Sequence, residues 1–492
     1  MLDMNKIAEI ISSLGIRVFT FDRSIYSNYI VPTYQWYKGS CPYHVRKFYN
    51  GNSNIRVEKA KLHMAKRISE DIASLTFNEN AIINIEDEPE KEYLMGFDEM
   101  SGILGENDFF SMMSKSIELM AGLGTAGVEI LVENMLQVDN KFIPSKNTKI
   151  KLAKYDALHI LPISYDNRGH ITEVCFIDEY QIKNDTFLEL RLHILNEKGN
   201  YVIINKKCKV DYYTNKNDVN NFIYLENSGI IEEFDTGSNI PWFTCLKMNK
   251  INSYDPNSPM GASAYGDAID ELKAVDDAFN TLCGEFRYSQ KKVYYSKSLL
   301  EKNENGNFIT PDEDDSTREV YYYTGETLNS NPDSKDPIHE YNPQIRSKEL
   351  TEGIELVLDI LSFKAGLGKG FYKFTTGGLQ KTATEVISSN SELYRNICKL
   401  QIGIEKNILE ILRALLYVSN YVFGTTYNVD CKISIKFDQS LTEDSAAERE
   451  RALKEVSLGL LTVDEYRAMY YPELGVKKVD DSFKDIEVID RV

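Results

Sequence analysis

Between Lys381 and Phe423 the apolar residues Ile397, Leu400, Ile404, Ile408, Ile411, Leu415, Val418 and Val422 recur at steps of three and four. That spacing places them on one stripe of an α-helix. It predicts one long helix over 381–423, capped by Thr382 or Thr384. Gly424 follows, where a left-handed residue closes a helix. Just before it lies AGLGKGFYKFTTGGLQ (365–380), with glycines at 366, 368, 370, 377 and 378. Such a density of glycine predicts a loose backbone. Lys369 and Lys373 lie inside this stretch, Lys364 and Lys381 at its edges, and no acid interrupts them. The pattern reads as a flexible cationic loop carried on a well-anchored helix.

The rest of the chain alternates between the two periodicities. Val57–Phe77 predicts an amphipathic helix with Leu62, Met64, Ile68, Ile72 and Leu75 inward, and Ala81–Ile85 a short strand. Asn107–Leu123 predicts a helix with Asn107 or Asp108 as its cap. From Val128 to about Leu225 the period changes to two, and NEKG (196–199) between alternating runs signals a hairpin. Helices followed by an antiparallel sheet make this an α+β fold. A helix is expected from Ala262 to about Tyr288 and another from Gln344 to about Lys364. They bracket a small insert, 291–343, with strand-like KKVYYS and REVYYYTG. Residues 427–438 alternate as a strand, with Val429, Cys431, Ile433, Ile435 and Phe437 on one face. Ser445 with Glu448, and Thr462 with Glu465, have capping-box spacing for two final helices.

Composition narrows the function. The net charge of −19 argues against sequence-reading of DNA through a broad basic face. It leaves room for a protein that DNA slides past without sticking. No run reaches the roughly 18 apolar residues of a membrane span, and the N-terminal residues lack the apolar block of a signal peptide. Seven scattered cysteines without a CxxC pair read as reduced thiols. Six histidines without HxxxH or HExxH spacing give no metal site.

Other features weigh toward plain structure. GLGKG (366–370) is not a phosphate-binding P-loop, because Gly370 follows the lysine and Phe363 stands where the first glycine belongs. From composition alone the loop is equally a mobile surface segment or one whose lysines touch a polyanion. Asp267, Asp270, Glu271, Asp277 and Glu285 on the 262–288 helix read first as a solvated face. Asp312–Asp315 reads as a solvated turn, and Tyr321, Tyr322 and Tyr323 as core and edge residues of a strand. No nucleophile elbow or base at a recognisable spacing appears, so an enzyme is not expected.

Four stretches carry a family resemblance: VEKAKLHMAKRISEDIASLTFNEN, SPMGASAYGDAIDELKAVDDAFNTLCGEFRYSQKKVYY, GLQKTATEVISSNSELYRNICKLQIGIEKNILEIL and SLTEDSAAERERALKEVSLGLLTVDEYRAMYYPE. Together they resemble the portal proteins of tailed double-stranded-DNA phages, in particular long-tailed phages of Gram-positive hosts. The resemblance implies a portal fold: an α/β wing (1–261), a first stem helix (262–290), a clip (291–343) and a second stem helix (344–364). A tunnel loop (365–380), a long wing helix (381–423), a wing strand (424–442) and a helical crown (443–492) complete it. It implies a ring of about twelve copies at one vertex of the phage head, assembled in the host cytoplasm. DNA would pass through its channel during packaging and ejection, held without sequence specificity. Terminase, a head–tail connector or adaptor, and the major capsid and scaffold proteins would be its partners, with no membrane, metal or cofactor. Lys364, Lys369, Lys373 and Lys381 are then expected to face the DNA, and Asp267, Asp270, Glu271, Asp277 and Glu285 to line the channel. A different connector or baseplate component is the alternative, and a packaging nuclease a more distant one.

Overall fold

The computed structural model describes residues 4–19, 21–49, 54–78, 81–96, 101–138, 141–183, 185–211, 221–224, 232–296, 304–306, 320–324, 338–373, 383–437, 452–458, 462 and 466. The chain divides into two units, 1–437 and 438–492. In the second, residues 452–457 are helical. The acidic run at 312–315, Gly377, Gly378, Lys381, Thr382 and the pair Ser445 and Glu448 lie outside the described residues, as does Glu465.

The first unit opens with α1 (Met4–Ser13), a π-helical turn (Tyr26–Ile30) and α2 (Val31–Lys38). A ribbon of β1 (Val45–Tyr49) and β2 (Asn54–Glu58) leads to α3 (Met64–Thr76). Next come β3 (Ile82–Ile85), α4 (Glu88–Met95), α5 (Ile103–Glu106) and α6 (Phe109–Leu123). The sheets follow: β4 (Thr125–Val138), β5 (Lys141–Asp156), β6 (Ile160–Tyr165), β7 (Ile171–Ile182), β8 (Asp185–Leu195), β9 (Tyr201–Asp211), β10 (Asn221–Tyr224), β11 (Glu233–Asp235) and β12 (Phe243–Lys247). Then α7 (Ile269–Tyr288), β13 (Lys292–Ser296), β14 (Val320–Thr324), β15 (Ile338–Tyr341) and α8 (Ser347–Lys364) precede α9 (Ala383–Phe423) and β16 (Ile433–Lys436).

Two sheets face one another. One runs β10-β9-β8-β7-β6 with β11 on β9, the other β12-β4-β5, and all their pairings are antiparallel. β7 is buried on both faces. Val174 and Phe176 meet Tyr155 and Phe243, while Cys175 and Ile177 join α1 in a second core. This is why β7 reads as a continuous apolar run. The expected hairpin closes β8 onto β9, with Asn196 Oδ1 accepting from the Lys198 and Asn200 amides, both at 2.9 Å. Between the sheets Glu129 accepts from Arg191 Nε at 3.1 Å and pairs with His193 Nε2 at 2.8 Å. Burial would raise the Glu129 carboxyl's pKa, but Arg191 and His193 hold it below the ordinary carboxylate value.

The main core gathers α3, α6, β4 and the predicted stripe of α9. Ile408, Ile411 and Leu415 are wholly buried. Gly424 has φ 68° and donates to Asn420 O at 3.0 Å, as a left-handed closing residue should. β16 pairs with β3, and Cys431, Ile433 and Ile435 turn inward. β13 pairs parallel with β14 and antiparallel with β15. β15 is a third strand of the insert, beyond the two that its sequence pattern marks.

Two helix starts lie well inside the expected ones, and tertiary hydrogen bonds explain both. The helix expected from Val57 begins at Met64. The Lys59 amide donates to His44 O, that of Ala60 to Asn280 Oδ1 and that of Leu62 to Asp276 Oδ1, so these groups are spent before a helix forms. The helix expected from Ala262 begins at Ile269 after a 3₁₀ turn, Gly266–Ala268. The Gly261, Ser263 and Ala264 amides donate instead to Thr125 Oγ1, Tyr29 Oη and Ala121 O. Asp108 makes no cap hydrogen bond to α6. Asn107 bonds across to β5, accepting from the Leu152 amide at 2.9 Å.

Gly124 and Gly261 touch backbone to backbone where α6 ends and the approach to α7 begins. A Cβ on Gly124, at φ +86°, would lie 2.4 Å from Gly261 O. Gly124→Ala is expected to cost about 2 kcal/mol or more. Gly403→Ala meets nothing within 4 Å on α9 and should stabilise by up to about 1 kcal/mol. Denaturant midpoints of the two variants check both signs.

Candidate functional site

Residues 365–373 leave α8 and form a compact turn rather than a loose loop. The amides of Ala365, Gly366 and Leu367 donate back to Leu361 O, Phe363 O and Ser362 O. Gly366, Gly368 and Gly370 have φ of 79°, 82° and 77°. Glycine is needed here for three left-handed steps, not for mobility, which corrects the expectation for this half of the stretch. Leu367 is 3% exposed and belongs to the main core. Asn396 Nδ2, one turn into the described side chains of α9, donates to Gly366 O at 2.8 Å. Tyr372 Oη donates to Asp71 Oδ2 on α3 at 2.8 Å. Burial and the Asp71 carboxylate push the Tyr372 hydroxyl well above the usual phenol range.

This anchoring leaves the lysines outside. Lys369 and Lys373 are exposed. Lys369 Nζ lies 5.9 Å from the centroid of the Phe363 ring, a weak cation–π arrangement. Lys373 Nζ sits 3.7 Å from Asp359 Oδ2 and Lys364 Nζ 3.6 Å from Glu271 Oε1. Partly exposed pairs at these distances hold little energy and open readily. The structure thus brings Lys364, Lys369 and Lys373 to one turn.

The five acids of the 262–288 segment are not a bare solvated face. Glu285 on α7 takes a two-pronged hold on Arg346, from Nε at 3.1 Å and from the terminal guanidinium nitrogen at 2.9 Å. This ties the start of α8 to α7, while the Glu271–Lys364 pair at its other end is weak. Asp277 accepts from Lys59 Nζ at 2.8 Å and from the Tyr43 hydroxyl. Burial raises its pKa, but Lys59 and Tyr43 together bring it below normal. Asp267 pairs with Lys250 at 2.6 Å. Asp270 pairs with Lys273 at 2.8 Å and its side chain is 90% exposed.

The residues doing most to place the site were not singled out in the sequence. Asp276, 4% exposed, holds His44 Nε2 at 2.8 Å and the Leu62 amide at 2.9 Å. Its signal was available: it falls four residues after Leu272, within the apolar stripe of α7, where a carboxylate must have buried partners. Asn396 and Asp71 carry no comparable mark. Among the described residues no group of His, Cys, Asp and Glu could hold a metal ion, and no helix is long and apolar enough to cross a membrane.

The family model described as "Phage portal protein, SPP1 Gp6-like" matches residues 28–481. The chain belongs to this phage portal family. Portal proteins are structural components of the virion, and the family implies a place in the phage head. A solved structure titled "Neck of native GTA particle computed with C12 symmetry" is similar at 10% identity and a TM-score of 0.40, covering 94% of this portal chain and 97% of that one. A search among curated proteins found no match.

The portal's turn at 365–373 depends on few hydrogen bonds, so it should loosen when one is lost. Asn396→Ala removes the bond to Gly366 O at a cost of about 1 kcal/mol. Hydrogen exchange at 366–372 is expected to quicken severalfold, with the β6–β9 sheet unchanged. Equal exchange in both proteins would show that the bond does not hold the turn.

Proposed function

We propose that this portal chain forms a closed ring of about twelve copies, joined head to tail, through which double-stranded DNA enters and leaves the phage head. In this reading 1–261 and the strand within 424–442 build the wing. The stem helices are 262–290 and 344–364, the clip 291–343 and the tunnel loop 365–380. The long wing helix is 381–423 and the crown 443–492. Terminase, a head–tail connector or adaptor, and the major capsid and scaffold proteins would be the ring's partners. The role is structural rather than catalytic.

The observation that carries the reading is that α8 is apolar on two opposite faces. Ile354, Leu358 and Leu361 are buried in the core. On the other side Leu356, Ile360 and Phe363 stand 63%, 45% and 49% exposed at steps of four and three. A helix apolar on both sides is one that is buried on both sides, and a neighbouring copy would cover the open face. The same helix ends in the turn that carries Lys369 and Lys373.

DNA contact then follows from the charge balance. A net charge of −19 repels a polyanion over most of the surface. Lys369 and Lys373 on the tunnel loop, with Lys364 and Lys381 at its edges, would touch passing phosphates, each contact being modest and salt-sensitive. Among the five acids, Asp270, paired with Lys273, has the most exposed side chain, while Asp267, Asp277 and Glu285 would act mainly by holding the stem helices and the ribbon in place.

Lys369→Glu combined with Lys373→Glu is expected to leave ring assembly intact and to reduce packaged DNA at least severalfold. In vitro packaging, with ring formation followed by sedimentation, reads both quantities. Normal packaging by such rings would remove the proposed role of these lysines.

A further inference from the structure

A second group of cations lies away from the turn, in a cleft of about 730 Å³ between the β6–β7 hairpin, the 247–261 segment and α9. Arg168, Lys247, Lys250 and Lys399 line it. Lys250 is committed to Asp267. Among the described residues, Arg168, Lys247 and Lys399 have no carboxylate within ion-pair distance. In a chain with 75 acids against 56 basic residues, three such cations at one cleft call for a reason.

Lys247 is the most telling of them. Its side chain is half-buried and its Nζ donates to Gly169 O. Among the described residues lining the cleft the acid is Asp166, whose Oδ1 accepts the Arg168 and His170 amides, both at 2.8 Å, and it offsets the burial of Lys247 only in part. Burial pushes the Lys247 ammonium down to about 8, since a desolvated charge without a carboxylate at ion-pair distance is costly. An anion entering the cleft would relieve that cost.

The cleft is preformed. Asn249 Nδ2 donates to Lys399 O at 3.0 Å, and Asn252 Nδ2 to Gly261 O at 2.9 Å. Its walls also include Phe19, Tyr165, Met248 and Met260. A volume within the usual range of about 300–1,000 Å³ suits a few side chains. A DNA duplex is a convex rod about 20 Å across, too wide to bring its phosphates to a half-buried lysine. We propose that this cleft binds an acidic, extended peptide segment of a partner protein, whose carboxylates meet Arg168, Lys247 and Lys399 while its apolar side chains rest on the methionine and aromatic walls.

The test titrates the purified full-length protein with a fluorescein-labelled peptide of eight glutamates, and separately with an equally labelled eight-nucleotide oligo-dT, by fluorescence anisotropy at low salt. The peptide is expected to bind, although the protein as a whole repels it. Arg168→Gln with Lys399→Gln, both at exposed positions, should weaken it at least tenfold. Lys247→Gln should weaken it too, and Lys115→Gln on α6 should not. Unchanged binding in the double variant would overturn the proposal. So would oligo-dT binding as tightly as the peptide, which would make the cleft a phosphate site instead.

Discussion

Burial of one face of α9 is the constraint on which the rest depends. The helix has 41 residues, about 60 Å at 1.5 Å per residue. From Ile404 to Val418 its inward side chains are almost wholly out of water, each such burial worth about 1.5–3 kcal/mol. Polar side chains along the helix then fix its neighbours. Asn396 bonds to Gly366 O, Gln401 to Thr76 O, and Glu410 to Thr244 Oγ1. One helix thus sets the places of the cationic turn, of α3 and of β12. The lysines of the turn sit on a rigid mount because their flanking Leu367 and Tyr372 are held inside.

Charge is arranged with the same economy. Most acids of α7 are spent within the subunit. Asp276 and Asp277 hold the ribbon and its exit, and Glu285 fastens the start of α8. Glu129 locks the two sheets through Arg191 and His193. Among the described residues, exposed and weakly paired cations gather at the turn after α8 and at the cleft beside α9. The first is proposed to meet nucleic acid and the second an acidic peptide. They differ in shape: one protrudes and the other is recessed.

Much of this was legible from pattern. The α9 stripe, the Gly424 closure and the hairpin at Asn196 follow from local rules, and the structure keeps all three. The portal resemblance rested on stretches spread along the chain, and the family match over 28–481 agrees with it. What the pattern missed was nonlocal. The segments 57–63 and 262–268 have helical composition, yet their amides are claimed by Asn280, Asp276, Thr125 and Tyr29. No local rule reveals partners more than 100 residues away. The glycines at 366, 368 and 370 were misread as freedom because composition does not distinguish a glycine that moves from one that must adopt a positive φ.

The most direct measurement is an electron-microscopy reconstruction of the purified, assembled protein at a resolution that traces helices. A closed ring is expected, with the Leu356–Ile360–Phe363 face of α8 covered by an adjacent copy and the 365–373 turn on the wall of the central opening. A ring in which that turn lies on the outer rim, or in which the α8 face stays open to solvent, would contradict it.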